Sequence, residues 1–341
     1  MRADMSYRKI VLAFFACFVF SLAFARLCAA KDNKIDPAAL ITRALSREIL
    51  WQKGFPPTLM RADLRMARGT GGKVLGEYGF YWAFPSQWRE EVKLGTYYRI
   101  RVGSEKGYWQ VSNLQYQPEV VFELDGLLSL KKLLKIAGSE PLSKVHVRKR
   151  DGISEYCAEV KGKRLRNSTL CFDESTGELL SVDYPMTEIA NPSEISRLEY
   201  SGFKAIEGKS IAFEIHGFHG REPVLGITIT KIAAMPEHDA GLFERPAQSQ
   251  FWATCDELTD AALTHMVFPD PPRPVEFTKS VTLYLVVEAD GTPSHITVIQ
   301  GQDPGVEAAA IVASRQWRYK PAMCGKTPVR QEIETALTVG P

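Results

Sequence analysis

The pattern that most restricts this chain lies between Val281 and Val339, where the hydrophobic period switches from strand to helix and back. Val281, Leu283, Leu285 and Val287 alternate with other residues, which predicts a strand with one buried face. Asp290-Gly291 is a hairpin-turn pair, and His295 to Gln300 resumes the alternation. Asp303-Pro304-Gly305 opens a helix whose Val306, Ala309, Ala310, Ala313 and Trp317 recur at helical spacing, with Pro321 as its stop. The last strand runs from Val329 to Val339 and sets Val329, Gln331, Ile333, Thr335 and Leu337 on one face. This β-β-α-β order predicts a three-stranded antiparallel sheet with one helix against it.

A chain of 341 residues exceeds what one core usually supports, so two domains are expected. Hydrophobic content of 45% and charged content of 24% are globular values. A net charge of +2 gives no electrostatic case for nucleic acid. Residues 1–30 read as a signal peptide: Arg2, Arg8 and Lys9 precede the apolar run Ile10 to Ala25, and Cys28-Ala29-Ala30 is a small-residue exit. A cleaved signal places the mature protein in the periplasm; a retained one would anchor it in the inner membrane facing the same compartment. Phe14 and Arg26 stand where an acylation site needs small or aliphatic residues, so lipidation is not expected.

Between residues 31 and 246 the pattern is a helix, Pro37 to Trp51, then a long series of strands with a helical break at Phe122 to Ala137. A meander of that length predicts a strongly curved antiparallel sheet around a helix. Residues 247–264 read as a linker, with a proline-rich stretch following up to Pro274, and residues 265–341 as the second domain. The fold class is therefore α+β.

Cutting after Ala30 leaves an even set of cysteines for an oxidising compartment. Cys157 and Cys171 lie in two adjacent strand-like runs, which predicts a cross-strand bridge. Cys255 enters the last domain and Cys324 follows its helix, so a Cys255–Cys324 bridge would staple the linker to that domain. The alternative at each place is a pair of buried free thiols.

Phe268-Pro269, Asp290-Gly291, Trp317-Arg318-Tyr319-Lys320-Pro321-Ala322 and Lys326-Thr327-Pro328-Val329 together resemble the motif order of the TonB C-terminal domain family. In that family a Tyr-Pro pair, an Asp-Gly turn, Trp-Arg-Phe-x-Pro-Ala and Gly-x-Pro-Val occupy these places; Phe for Tyr and Tyr for Phe are the departures here. The resemblance implies a periplasmic module that pairs the open edge of its sheet with a short segment of an outer-membrane receptor or other envelope protein. Such pairing is β-strand addition, in which a guest satisfies the edge's bare N–H and C=O groups. Carried over, the contact surface is Phe268, Pro269, Arg330, Gln331, Ile333, Thr335 and Leu337. Ile10 to Ala25 holds no ionisable group and a folded domain stands in place of a proline-rich spacer, so binding is implied without force transmission.

The N-terminal half resembles the LolA-like lipoprotein carriers in its helix, its strand meander, its Gly208-Lys209 turn and its ending Leu242-Phe243-Glu244-Arg245-Pro246. That resemblance implies a half-barrel whose apolar cavity takes lipid or lipoprotein acyl chains, lined by Trp82, Phe84, Tyr98 and Trp109. The same aromatics would fill an ordinary core in a generic β-rich domain. A homodimer stays open.

No catalytic motif, phosphate-cradling loop or metal pattern is present. His216 and His219 fall in a strand run, where their spacing points them to opposite faces. The expectation is a non-enzymatic protein without cofactor or metal, acting in envelope transport by binding partners or carrying lipid.

Overall fold

The computed structural model of the chain describes residues 35–48, 51, 54–66, 74–114, 116–128, 130–162, 165, 167–184, 196–235, 240–255, 258–272 and 277–339. The expected signal peptide lies outside the described residues.

Helix α1 (Pro37–Arg47) begins where Asp36 accepts a hydrogen bond from Ala38 N and Pro37 supplies the first helical turn. Leu40, Ile41 and Ala44 form its buried face. It ends a turn earlier than the sequence pattern suggested, with Glu48 N donating to Ala44 O at 2.8 Å. The strands β1 (Thr58–Met66), β2 (Val74–Phe84), β3 (Gln87–Leu94), β4 (Tyr97–Ser104) and β5 (Gly107–Ser112) follow as a meander. Helices α2 (Glu119–Leu128) and α3 (Leu130–Ser139) form the expected break.

The chain then returns through β6 (His146–Arg150), β7 (Ile153–Glu159), β8 (Thr169–Asp173), β9 (Leu179–Asp183) and β10 (Arg197–Ser201). A small hairpin, β11 (Lys204–Ile206) with β12 (Lys209–Ile211), precedes β13 (Glu214–His219) and β14 (Glu222–Ala234). All but the hairpin join one sheet, in the order β15-β5-β4-β3-β2-β1-β14-β13-β10-β9-β8-β7-β6, where β15 is Gln250–Ala253. One core runs across this sheet and all three helices: Leu40, Leu124, Leu134, Tyr78, Phe172 and Ile227 belong to it. A single core touching strands from β1 to β14 requires the sheet to wrap around its helices.

Residues 247–264, expected as a linker, are largely ordered into the two sheets' surroundings. β15 pairs with β5 because its side chains suit both faces of the large sheet. Phe251 meets Trp109 at 5.1 Å on one face, and Trp252 is buried on the other. Further on, β16 (Leu258–Thr259) and β17 (Ala262–His265) already pair with strands of the C-terminal region.

That region continues with β18 (Lys279–Val287), β19 (Pro293–Gln300), α4 (Pro304–Ser314), β20 (Arg318–Lys320), β21 (Ala322–Cys324), β22 (Thr327–Val329) and β23 (Gln331–Val339). Its main sheet has the order β19-β18-β23, as the β-β-α-β pattern predicts. Asp303 caps α4 by accepting from Gly305 N and Val306 N. The helix does not run to Pro321. It stops at Ser314, and Arg318–Lys320 becomes a strand against β17 because the Asp290-Gly291 turn captures it, Tyr319 N donating to Gly291 O at 2.9 Å. Gly291 sits at φ +84°, and a Cβ there would lie 2.1 Å from Tyr319 O, so only glycine allows this approach.

Both expected disulfides form, Cys157–Cys171 and Cys255–Cys324. The first joins residues directly opposite one another in β7 and β8. Its sulfurs and Glu155 lie close together, but thiols spent in a disulfide hold no metal. Among the described residues no helix is long and apolar enough to cross a membrane.

Candidate functional site

The C-terminal sheet is built on β18. Val281, Leu283, Leu285 and Val287 face α4 and are fully buried with Val306, Ala310 and Trp317. The small residues of α4 let the helix lie close to the strands. Trp317 Nε1 donates to Val267 O at 2.8 Å, which fixes the entering chain beside the core.

β23 pairs with β18 along its whole length, from Gln331 opposite Val287 to Val339 opposite Lys279. On its other side no described strand pairs with it, so its outer N–H and C=O groups form an open edge. Ile333, Thr335 and Leu337 turn their side chains toward α4, with Leu337 buried. Glu332, Glu334, Ala336 and Thr338 point the other way, by the alternation of the strand. The edge therefore offers backbone, while its apolar side chains serve the domain's own core.

Two of the expected contact residues are committed elsewhere. Arg330 grips Glu288 through both ends of its guanidinium, at 2.6 and 2.8 Å from one nitrogen. It also donates to Gln250 at 2.9 Å and stands over the Trp252 ring at 5.2 Å. Gln331 accepts from Ala261 N at 2.7 Å and donates to Asp260 at 2.8 Å. Both hold the domain against the chain that enters it. Phe268 is 74% exposed, and Pro269 is half-buried beside it.

The face of the sheet away from α4 is not free. Tyr284 and Val286 are buried against Trp252, Tyr108 and Tyr116 of the large sheet's end. Tyr284 Oη donates to Glu332 at 2.8 Å. Burial, then the nearby Glu332 carboxylate, pushes this phenol far above its usual range, so it stays a donor. With helix on one face and the end of the large sheet on the other, both faces of this sheet are packed, and among the described residues its unpaired backbone lies at its edges.

The four aromatics expected to line a common cavity do not come together. Register partners place Trp82, Trp88, Glu90 and Arg101 on one face of the large sheet. Trp109 lies opposite Val102, on the other face, and Tyr98 shares that face by alternation. Trp82 is 4% exposed beside Trp51 and Phe55, whereas Phe84, past a register shift, is 59% exposed. Tyr98 is 44% exposed, and Trp109 is sandwiched between Phe251 and the Arg245 guanidinium, 3.7 Å from its ring centre.

Beside the core, this stretch of the inner face carries a charge cluster. Arg99 donates to Asp125 at 2.6 Å and to Glu90 at 2.9 Å. Arg101 donates to Asp125 at 2.9 Å and to Gln110 at 2.7 Å. Burial alone would raise the Asp125 carboxyl, but the Arg101 and Arg99 guanidiniums outweigh it and hold it below the usual value. Sequence reasoning missed this cluster. The signal was in β4, where Arg99 and Arg101 alternate with Tyr98 and Ile100, so one face of the strand carries both charges, and the fold turns that face inward.

Residues 265–338 match the family described as Gram-negative bacterial TonB protein C-terminal. No curated protein matches the chain. Among solved structures it is similar to a LolA superfamily protein from Nitrosomonas europaea, at 10% identity and a TM-score of 0.40, covering 62% of this chain and 98% of that one. It is also similar to a DUF1329 family protein from Desulfovibrio piger, at 15% identity and a TM-score of 0.40, covering 61% and 95%. The match to the TonB C-terminal family thus covers the small β19-β18-β23 sheet and its helix, which follow a large antiparallel sheet.

Proposed function

We propose that the protein acts on the periplasmic side of a bacterial envelope, binding an extended segment of an outer-membrane or other envelope partner at the outer edge of β23. The observation that carries this reading is the bare edge of a 9-residue strand in a TonB-type domain whose two faces are already covered. A guest strand there would complete a ladder of backbone hydrogen bonds, each netting about 1 kcal/mol before ordering costs, which fits a micromolar rather than a nanomolar partner. Ile333, Thr335 and Leu337 supply the strand that is extended, and Phe268 offers an exposed ring in the segment that enters the domain. Arg330 and Gln331 set the domain's orientation. The large sheet, with its packed core and its Arg99–Asp125 cluster, is read as the scaffold that carries the domain, and no enzyme activity is proposed.

The test is a titration of the full chain with TonB-box-like peptides, each paired with a twin N-methylated at alternate amides. Strand addition predicts that methylating one set of amides abolishes binding while methylating the other set is tolerated. Binding indifferent to methylation in either set, or silence across a broad panel, would reject the reading.

A further inference from the structure

The two disulfides stand in opposite surroundings. Cys157 and Cys171 are each 0% exposed, sealed between strands of the large sheet. Cys255 and Cys324 are half-buried at the seam between the large sheet and the C-terminal domain. Cys324 lines a cleft of about 520 Å³ there, with Phe251, Ala253, Pro328 and Val329 as apolar wall and Lys106 as an exposed cation. The Glu288–Arg330 pair closes the same cleft, but that guanidinium is neutralised by its carboxylate. A sulfur facing such a cleft is open to an incoming thiolate, and a neighbouring lysine favours the anion.

The bridge also sits beside a very short strand pairing. Among the described residues after Cys255, β16 comes first, and it pairs with β21 through Leu258 with Cys324 and Thr259 with Met323. Beyond it, Asp260 and Ala261 bond the side chain of Gln331, the first residue of β23. The segment tied down by the bridge therefore reaches the start of the open edge strand.

We propose that Cys255–Cys324 is an exchange-reactive disulfide that latches the seam between the two sheets. An external dithiol enters the cleft and one of its thiolates attacks Cys324 Sγ. The Cys255–Cys324 bond breaks, a mixed disulfide forms on Cys324, and Cys255 leaves as a thiolate that takes up a proton. The second thiol of the reductant then displaces Cys324, so the dithiol is oxidised to a disulfide and both cysteines of the protein end as thiols. Released at Cys255, β16 loses its covalent support and the contacts at Gln331 loosen. Cys157–Cys171 takes no part, because no thiolate reaches it in the folded chain.

The experiment uses the oxidised full chain without denaturant, exposed to dithiothreitol, quenched with an alkylating agent and mapped by peptide mass. The expected result is that Cys255 and Cys324 are labelled at least about tenfold faster than Cys157 and Cys171. Equal rates, or Cys157–Cys171 opening first, overturn the proposal. Trapping with glutathione is expected to leave the mixed disulfide on Cys324; recovery on Cys255 instead overturns the direction of attack. Hydrogen exchange of the reduced protein is expected to rise at Leu258 to Ala261 while the core strands of both sheets stay protected. Unchanged exchange there overturns the latch, and loss of protection across the whole C-terminal sheet would make the bridge a general staple and overturn it too.

Discussion

The large sheet and the small sheet solve the same problem, one helix-covered face, with different materials. The large sheet buries charge amid its hydrocarbon: Arg99, Glu90 and Asp125 lie on its inner side near Tyr78 and Val92, and Glu48 is buried at the end of α1. The face of the small sheet against α4 buries hydrocarbon and one indole. Their edges differ as well. The large sheet ends at β6, a short strand reading His-Val-Arg-Lys-Arg, and at β15, a 4-residue strand whose Trp252 is buried in the seam. Short, basic or covered edges resist foreign strands. In the small sheet, no described strand pairs with the outer side of β23. A broad core tolerates buried ion pairs and protects its borders; a narrow one keeps its interior apolar and leaves its border for use.

The comparison is broken most sharply at Trp317, the largest side chain fully buried in the small core. Trp317→Ala should cost about 4 kcal/mol, from lost burial plus the cavity, along with the bond to Val267 O. Urea unfolding of the full chain should then show the C-terminal domain melting early while the large sheet keeps its midpoint. One shared, equally shifted transition would mean that the two cores are a single cooperative unit.

The next effect belongs to the large sheet alone. Burial pushes the Glu48 carboxyl from the usual 4.5 up to about 8, the Leu179 N–H opposing and Glu178 adding to it. The folded state thus keeps a proton that the unfolded chain releases above pH 4.5. Stability from this group is complete below that pH, falls as pH rises, and is gone above about 8. By pH 7 the loss is about 3 kcal/mol. Glu48→Gln keeps an acceptor for Leu179 N and should flatten the slope between pH 5 and 8 for the large-sheet transition. A slope that survives the substitution, or that appears in the C-terminal transition, removes Glu48 from the account.

Much of the small domain was legible in the sequence because its period changes are clean and its turn residues are unambiguous: Asp290-Gly291, Asp303-Pro304 and the alternation through Leu283 and Leu285 all fall where the structure has them. The helix end was not. Trp317 keeps helical spacing from Ala313, yet the capture of Tyr319 by Gly291 is a tertiary event that no local pattern records. Both cysteine pairings were legible from compartment and strand order. The fate of the aromatics was not, since a register shift after Trp82 and the parity of β4 and β5 decide which face each ring takes. Arg330 looked like a contact for guests; only the fold brings Glu288, Gln250 and Trp252 around it.

The smallest effect tests the place where the two sheets meet. Tyr284 belongs to the small sheet by backbone and to the seam by side chain, its ring 6.4 Å from that of Tyr116 and its hydroxyl on Glu332. Tyr284→Phe keeps the ring against Trp252 and removes only the hydrogen bond, which to a half-buried carboxylate is worth about 2 kcal/mol. Neither unfolding free energy should fall by more than that. Amide exchange at Gln250 to Ala253 should nevertheless quicken, because Glu332 would lose the partner that draws β23 toward the seam. A loss as large as that at Trp317 would show that the seam, rather than the α4-facing core, holds the small sheet together. The contrast between a self-sufficient small domain and its scaffold would then fail.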